Sequence, residues 1–175
     1  IGGGFGTNVH LLLENYKNIR KVLYLDIAPN LYVGTQYLKS FYGDAVFDYR
    51  ALKDFDSIKF SANNDIEIFC ISPWQIEQFE SSIDIFMNSH SFVEMPNNIV
   101  KNYVDKFNGF PGSENAAIAL NTYDGYDINT TLHPDELPKF FKTRKFEYFE
   151  VARLLKLPSN HNNLFYVSSG GFSFH

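Results

Sequence analysis

Apolar positions along the chain change their spacing several times, and each change marks an element. After a run of glycines, Val9, Leu11, Leu12 and Leu13 recur at helical spacing, with Thr7 and Asn8 placed to cap that helix. Residues 21–26 (KVLYLD) form a short apolar run ending in an acid, the pattern of a buried parallel strand. Leu31, Val33, Tyr37, Leu38 and Phe41 mark a second helix, with Pro29 in its first turn and Gly43 at its end. Residues 44–64 show no period and read as a long connection. Strands are expected at 66–71 (IEIFCI) and 83–87 (IDIFM), with a helix opening at Pro73 and Trp74 between them. Pro96 starts a helix carrying Ile99, Val100, Tyr103, Val104 and Phe107. A strand at 116–120, a short helix at 134–141 and a hairpin pairing 147–151 with 164–167 complete the pattern. This alternation predicts an α/β domain spanning 1–175, with one mainly parallel sheet, an antiparallel end and helices on both faces.

The composition narrows the function classes. A formal net charge of -5 argues against a nucleic-acid partner, because phosphate neutralisation needs a basic surface. One cysteine supports no disulfide framework and fits a reducing, cytoplasmic setting. No apolar run approaches the length of a membrane span. Phe and Tyr number 18 and 11, so an aromatic-rich core and aromatic pocket walls are expected. The chain opens Ile1-Gly2-Gly3-Gly4-Phe5-Gly6, whereas a loop of this kind normally follows a strand. The expectation is a domain truncated at its N-terminus, with most of the first strand missing.

The candidate chemistry begins in that loop. Gly2, Gly4 and Gly6 form G-x-G-x-G, with Gly3 between them, which lets the backbone turn tightly and a ligand approach closely. The helix that follows offers free N–H groups and a positive dipole end, suited to a carboxylate. Asp26 ends the next strand about 20 residues on, the expected place for an acid that binds a ribose diol. A dinucleotide loop would need glycine where Thr7 stands, and no phosphate loop of the Gly-Lys-Ser/Thr kind occurs. The G-x-G-x-G form points to S-adenosylmethionine. Ile27, beside the acid, and Pro73, after the third strand, join the candidate cofactor residues, and Trp74 is placed to lie against the adenine or to pack in the core.

These segments resemble a known family. IGGGFG, YLDIAPNLYVGTQYL and IDIFMN running into SHSFVEM are similar to the sugar O-methyltransferases of bacteria, over roughly residues 1–105, with a weaker echo at 116–123 (AAIALNTY). The resemblance implies a Rossmann-like class I fold, S-adenosyl-L-methionine as methyl donor, and a hydroxyl of a sugar or glycan precursor as acceptor. It also sets the segment after the fourth strand beside the cofactor's reactive end. There His90 is the candidate base, since histidine titrates near neutrality. Glu94 is placed to orient it or to bind an acceptor hydroxyl, and Asn88 and Ser89 to hydrogen-bond donor or acceptor. Cys70 reads as a packed residue and His133 as a cap. The histidines show no metal spacing. Asp124 and Asp127 leave a divalent metal conceivable without supporting one. Two alternatives stay open: a non-catalytic cofactor-binding module of a polysaccharide-related protein, and a nucleotide-sugar or NAD enzyme of similar architecture.

Overall fold

A computed structural model describes residues 1–123, 132–141, 147–151 and 163–168. Its strands lie in two sheets, and the chain divides into two compact units, Ile1–Ser81 and Ser82–His175.

The first unit contains α1 (Thr7–Asn15), β1 (Lys21–Leu25), α2 (Ala28–Tyr42), β2 (Val46–Phe47), α3 (Tyr49–Leu52) and β3 (Glu67–Ile71). Its sheet has the order β1-β3-β2 and is wholly parallel, with Leu25 opposite Ile71. The apolar runs become β1 and β3 because branched and aromatic side chains suit a pleat covered on its faces. Val9, Leu13, Tyr24, Leu31, Leu38, Val46, Ile68 and Cys70 form the core. Leu31 and Leu38 are fully buried, each worth roughly 1.5–3 kcal/mol. Burial pushes the Cys70 thiol up to about 11, as expected for a packed cysteine.

Two expectations are corrected in this unit. Helix α1 starts at Thr7, so its N-cap is Gly6 in the left-handed conformation, with no side-chain cap. The segment 44–64 is more than a connection, since it holds a 3-10 turn (Gly43–Ala45), β2 and α3. A two-residue strand and a four-residue helix are too short to show a period.

Asp48 ties this segment down. It caps α3 by accepting the N–H groups of Arg50 and Ala51, and it pairs with Lys39 and Arg50, each at 3.0 Å. Burial works to raise its pKa, but the hydrogen bonds from Arg50, Lys39 and Ala51 outweigh it and hold the carboxyl far below its ordinary 3.8. A depressed folded pKa contributes stability that is present above the unfolded value and is lost as pH falls below it. Thermal melts between about pH 5 and about pH 3 should therefore show a falling Tm, and Asp48→Asn should flatten part of that fall. Equal slopes in the two proteins would remove Asp48 from the acid limb.

The second unit contains β4 (Ile85–Ser89), α4 (Asn97–Asn108), β5 (Ala117–Tyr123), β6 (Glu147–Val151) and β7 (Asn163–Ser168). Its sheet has the order β4-β5-β7-β6. Strands β4 and β5 are parallel, and β7 pairs antiparallel with both β5 and β6. The antiparallel end and the terminal hairpin are therefore as expected. Strand β4 starts two residues later than its apolar pattern suggests, at Ile85. Helix α4 buries Val100, Tyr103, Val104 and Phe107. Phe86, Phe107 and Phe141 pack edge-on or tilted, with ring centroids 4.7–6.2 Å apart. Among the described residues the strands form two ladders, with β1 and β4 each at an edge of its own.

Candidate functional site

In the first unit the glycine loop closes onto the end of β1. Gly2 donates its N–H to the Leu25 carbonyl at 3.0 Å. Gly4, at φ 57°, donates to Asp26 Oδ2 at 2.7 Å, and the Ile27 N–H donates to Asp26 Oδ1 at 2.8 Å. Asn30 Nδ2 reaches the same Oδ1 at 3.5 Å. Asp26 is only 6 % exposed, and its carboxylate organises the loop directly. Oδ2 keeps a second lone-pair site, so a ribose hydroxyl can still be accepted. A Cβ built on Gly4 would meet nothing within 4 Å, so the space beside Gly4 is open.

Tyr24 supports the loop from the strand. Its hydroxyl donates to the Gly4 carbonyl at 2.6 Å and lies 3.1 Å from the Asn30 carbonyl. Burial, with Asp26 and Cys70 nearby, raises the phenol above its ordinary value, so it remains a donor. A Cβ on Gly3 would overlap the Tyr24 ring, and one on Gly34 would overlap its hydroxyl end. Gly3 is therefore glycine for lack of space. The roles of Tyr24 and Gly34 escape sequence reasoning, since nothing local marks a tyrosine in a strand as a loop support.

The ends of β1 and β3 are level, so Asp26 and Pro73 both lie just past neighbouring strands. Pro73 opens the 3-10 turn Pro73–Gln78 behind a capping box formed by Ser72 and Gln75. Phe5, Ile27 and Trp74 are 62 %, 57 % and 69 % exposed. Trp74 is thus no core residue.

The second unit holds the other candidates. Asn88 is buried, and its side chain braces the turn after β4: Nδ2 donates to Ser91 Oγ at 2.7 Å, and Oδ1 accepts the Phe92 N–H at 3.2 Å. His90 is half-buried at φ 66° and ψ -36°, the one non-glycine residue with positive φ among the described residues. Its N–H donates to the Asn121 carbonyl at 2.7 Å and its carbonyl accepts from Val93 at 3.2 Å. Ser89 Oγ lies 3.1 Å from His90 Nδ1, and Asn121 Nδ2 donates to Ser89 Oγ at 3.2 Å. Glu94 ends the 3-10 turn Ser91–Glu94 and is exposed. Asn121 is the residue missed here. Its signal was a polar side chain at the carboxyl end of a strand beside β4.

Backbone strain of this kind costs about 1–3 kcal/mol and persists where surrounding bonds impose it. His90→Gly is therefore expected to be more stable than His90→Ala by about 1 kcal/mol, or a few degrees in Tm. Thermal melts of the two variants compare them, and equal values would show that the turn carries no strain.

Among the described residues no three His, Cys, Asp or Glu side chains gather as a metal site, and Asp124 and Asp127 lie outside them. No described helix is long and apolar enough to cross a membrane.

No family model matches the chain, and no curated protein matches its sequence. Solved structures do match. The small RNA methyltransferase HEN1 aligns at a TM-score of 0.59 with 10% identity, covering 97% of this chain and 23% of that one. The mitomycin 7-O-methyltransferase MmcR aligns at 0.55 with 11% identity, over 96% of this chain and 47% of that one. A variant of LepI, solved in complex with SAH and a substrate analogue, aligns at 0.55 with 10% identity, over 97% and 41%. The chain spans less than half the length of each of these proteins. Identities this low carry the architecture alone, and the architecture of this chain is the Rossmann-like class I methyltransferase fold.

Proposed function

We propose that this protein transfers the methyl group of S-adenosylmethionine to a hydroxyl oxygen, with a sugar or glycan precursor as acceptor. The observation that carries the reading is the glycine loop bound to Asp26 at 2.7 Å in a chain of class I methyltransferase fold. Gly2, Gly3, Gly4 and Gly6 would lie against the methionine end, and Asp26 would take the ribose diol on its remaining lone pairs. Ile27, Pro73 and Trp74 are apolar and placed past the strand ends, where an adenine ring needs cover. When bound, S-adenosylmethionine would supply an electrophilic methyl group to the acceptor oxygen, whose proton would have to be removed by a base.

The residues at the end of β4 and in the turn after it would complete the site. Asn88 shapes the turn and would join the cofactor-binding residues, His90 would take the proton of the acceptor hydroxyl, and Glu94, an exposed carboxylate on the same turn, would orient His90 or bind an acceptor hydroxyl. A sugar acceptor rests on the resemblance of IGGGFG, DIAPNLY and NSHSFVEM. The RNA acceptor named for HEN1 does not suit a net charge of -5.

Calorimetry with S-adenosylmethionine, S-adenosylhomocysteine and NAD tests the donor. Mass spectrometry of sugar and nucleotide-sugar acceptors after incubation tests the transfer. Binding of the first two without NAD, with a methylated product, is the expected result. Binding without any methylated product would favour a cofactor-binding module, and preference for NAD would overturn the reading.

A further inference from the structure

We infer that Gln75 is a positioning residue for the base of the cofactor, because it fastens the turn carrying Pro73 and Trp74 to α3. The side chain is 2 % exposed and is bonded through both atoms of its amide. Its Oε1 accepts the Ser72 N–H at 2.9 Å, and its Nε2 donates to the Tyr49 carbonyl at 3.1 Å. The orientation of the amide is fixed by these partners, since a main-chain N–H only donates and a carbonyl only accepts. The first bond belongs to the capping box at the start of the turn. The second reaches 26 residues back along the chain, to the first residue of α3. A capping box is served by Glu as well as by Gln at this place. Gln alone brings a donor, and here that donor is used on Tyr49.

The turn needs a hold from outside. Pro73–Gln78 is a 3-10 helix of six residues, and runs beyond about four are uncommon because their hydrogen bonds are poorly aligned. Its far end is tied by the main chain: the Ile58 N–H donates to the Gln78 carbonyl at 2.7 Å, and the Glu80 N–H to the Ile58 carbonyl at 3.0 Å. Its near end, where Trp74 stands, is tied through Gln75. The anchor itself is firm, because Asp48 caps α3 and pairs with Lys39 of α2 at 3.0 Å. Ile27 is the N-cap of that same α2. One connected path, from Gln75 through Tyr49, Asp48 and Lys39, thus joins the Trp74 turn to the helix that starts beside Ile27.

The consequence for binding rests on the methyl-transfer reading, in which Ile27, Pro73 and Trp74 cover the adenine. Gln75 is enclosed in the fold and acts through Trp74. It keeps that ring in place before the base arrives, so less freedom is lost on binding. Loosening the turn removes the contribution of the base and leaves the ribose at Asp26 and the methionine end at the glycine loop as they were.

Trp74 is the single tryptophan of the chain, so its fluorescence anisotropy reads the turn with no ligand added. The full chain is compared with Gln75→Met and Gln75→Glu, each checked for folding by a thermal melt. Methionine fills a similar volume and removes both bonds. Glutamate keeps the capping box but sets an oxygen against the Tyr49 carbonyl. Both variants should show lower Trp74 anisotropy and bind S-adenosylhomocysteine more weakly by roughly three- to tenfold, the scale of one net hydrogen bond. S-ribosylhomocysteine, which lacks the base, should compete equally well for all three proteins. Equal weakening of the two ligands would make Gln75 a general stabiliser and overturn the proposal. So would wild-type anisotropy and affinity in a folded Gln75→Met. Wild-type behaviour of Gln75→Glu would reduce the residue to its capping box and overturn it too. The two readings fail separately. A wild type that binds no S-adenosylhomocysteine, with Trp74 loosened in Gln75→Met, sinks only the methyltransferase, and bound cofactor with Trp74 unmoved sinks only the role of Gln75.

Discussion

Asp26→Ala is expected to cost the fold about 2–4 kcal/mol and to weaken S-adenosylhomocysteine binding by roughly ten- to a hundredfold. Both effects have one origin. The carboxylate receives the N–H groups of Gly4 and Ile27 at 2.7 and 2.8 Å while only 6 % exposed. Without it two charge-assisted bonds are gone, and the donors left behind lose partners that water cannot fully replace. The ligand then meets a loop of altered shape and no carboxylate for its ribose. Asp26→Asn is the informative companion, since it can still accept one N–H bond but carries no charge. It should recover part of the stability and little of the affinity. Denaturant melts and calorimetry measure the two quantities separately. Normal affinity in Asp26→Ala would remove the residue from the cofactor site.

Gly34→Ala should reverse the usual sign of its substitution class. Alanine inside a helix is normally favoured over glycine by about 0.5–1 kcal/mol. Here the added methyl group would overlap the hydroxyl end of Tyr24 and lie 3.2 Å from the Gly4 carbonyl. Tyr24 has little room to yield, because Gly3 lies so close to its ring that even a Cβ there would overlap it. The expected loss is about 1–3 kcal/mol, the scale of overpacking. Cofactor affinity should fall as well, although Gly34 lies in α2 outside the loop, because the displaced hydroxyl is the one that holds Gly4. Combining Gly34→Ala with Tyr24→Leu should cost less than the sum of the two changes, which a double-mutant cycle reads directly. Strict additivity would show that the two residues do not press on each other.

The parts legible in the chain were those with a local cause. KVLYLD announces a buried strand and its acid, the glycines announce a turn, and the stripe from Ile99 to Phe107 announces a helix. The parts not legible depend on contacts across the fold. Nothing near Tyr24 in sequence shows that its ring fills the space between Gly3 and Gly34. Asp48 reads as one acid among many until Lys39 and Arg50 are brought to it. The strand at β4 starts at Ile85 because Ala117 begins its partner there, and periodicity alone placed it at Ile83. His90 was marked by its chemistry, but its positive φ and its ties to Ser89 and Asn121 come from pairing with a strand more than thirty residues away.

The clamp of Tyr24 and Asp26 on the glycine loop has a consequence for the kinetics of ligand capture. Gly4 is held through its carbonyl by the tyrosine and through its N–H by the aspartate. A loop already in one shape has little conformational entropy left to lose on binding. Association should then occur in a single step whose rate rises in proportion to cofactor concentration, without a slow isomerisation phase. Stopped-flow traces of the wild type should fit one exponential. Tyr24→Phe, which frees the Gly4 carbonyl, should add a second phase that becomes independent of concentration at high ligand.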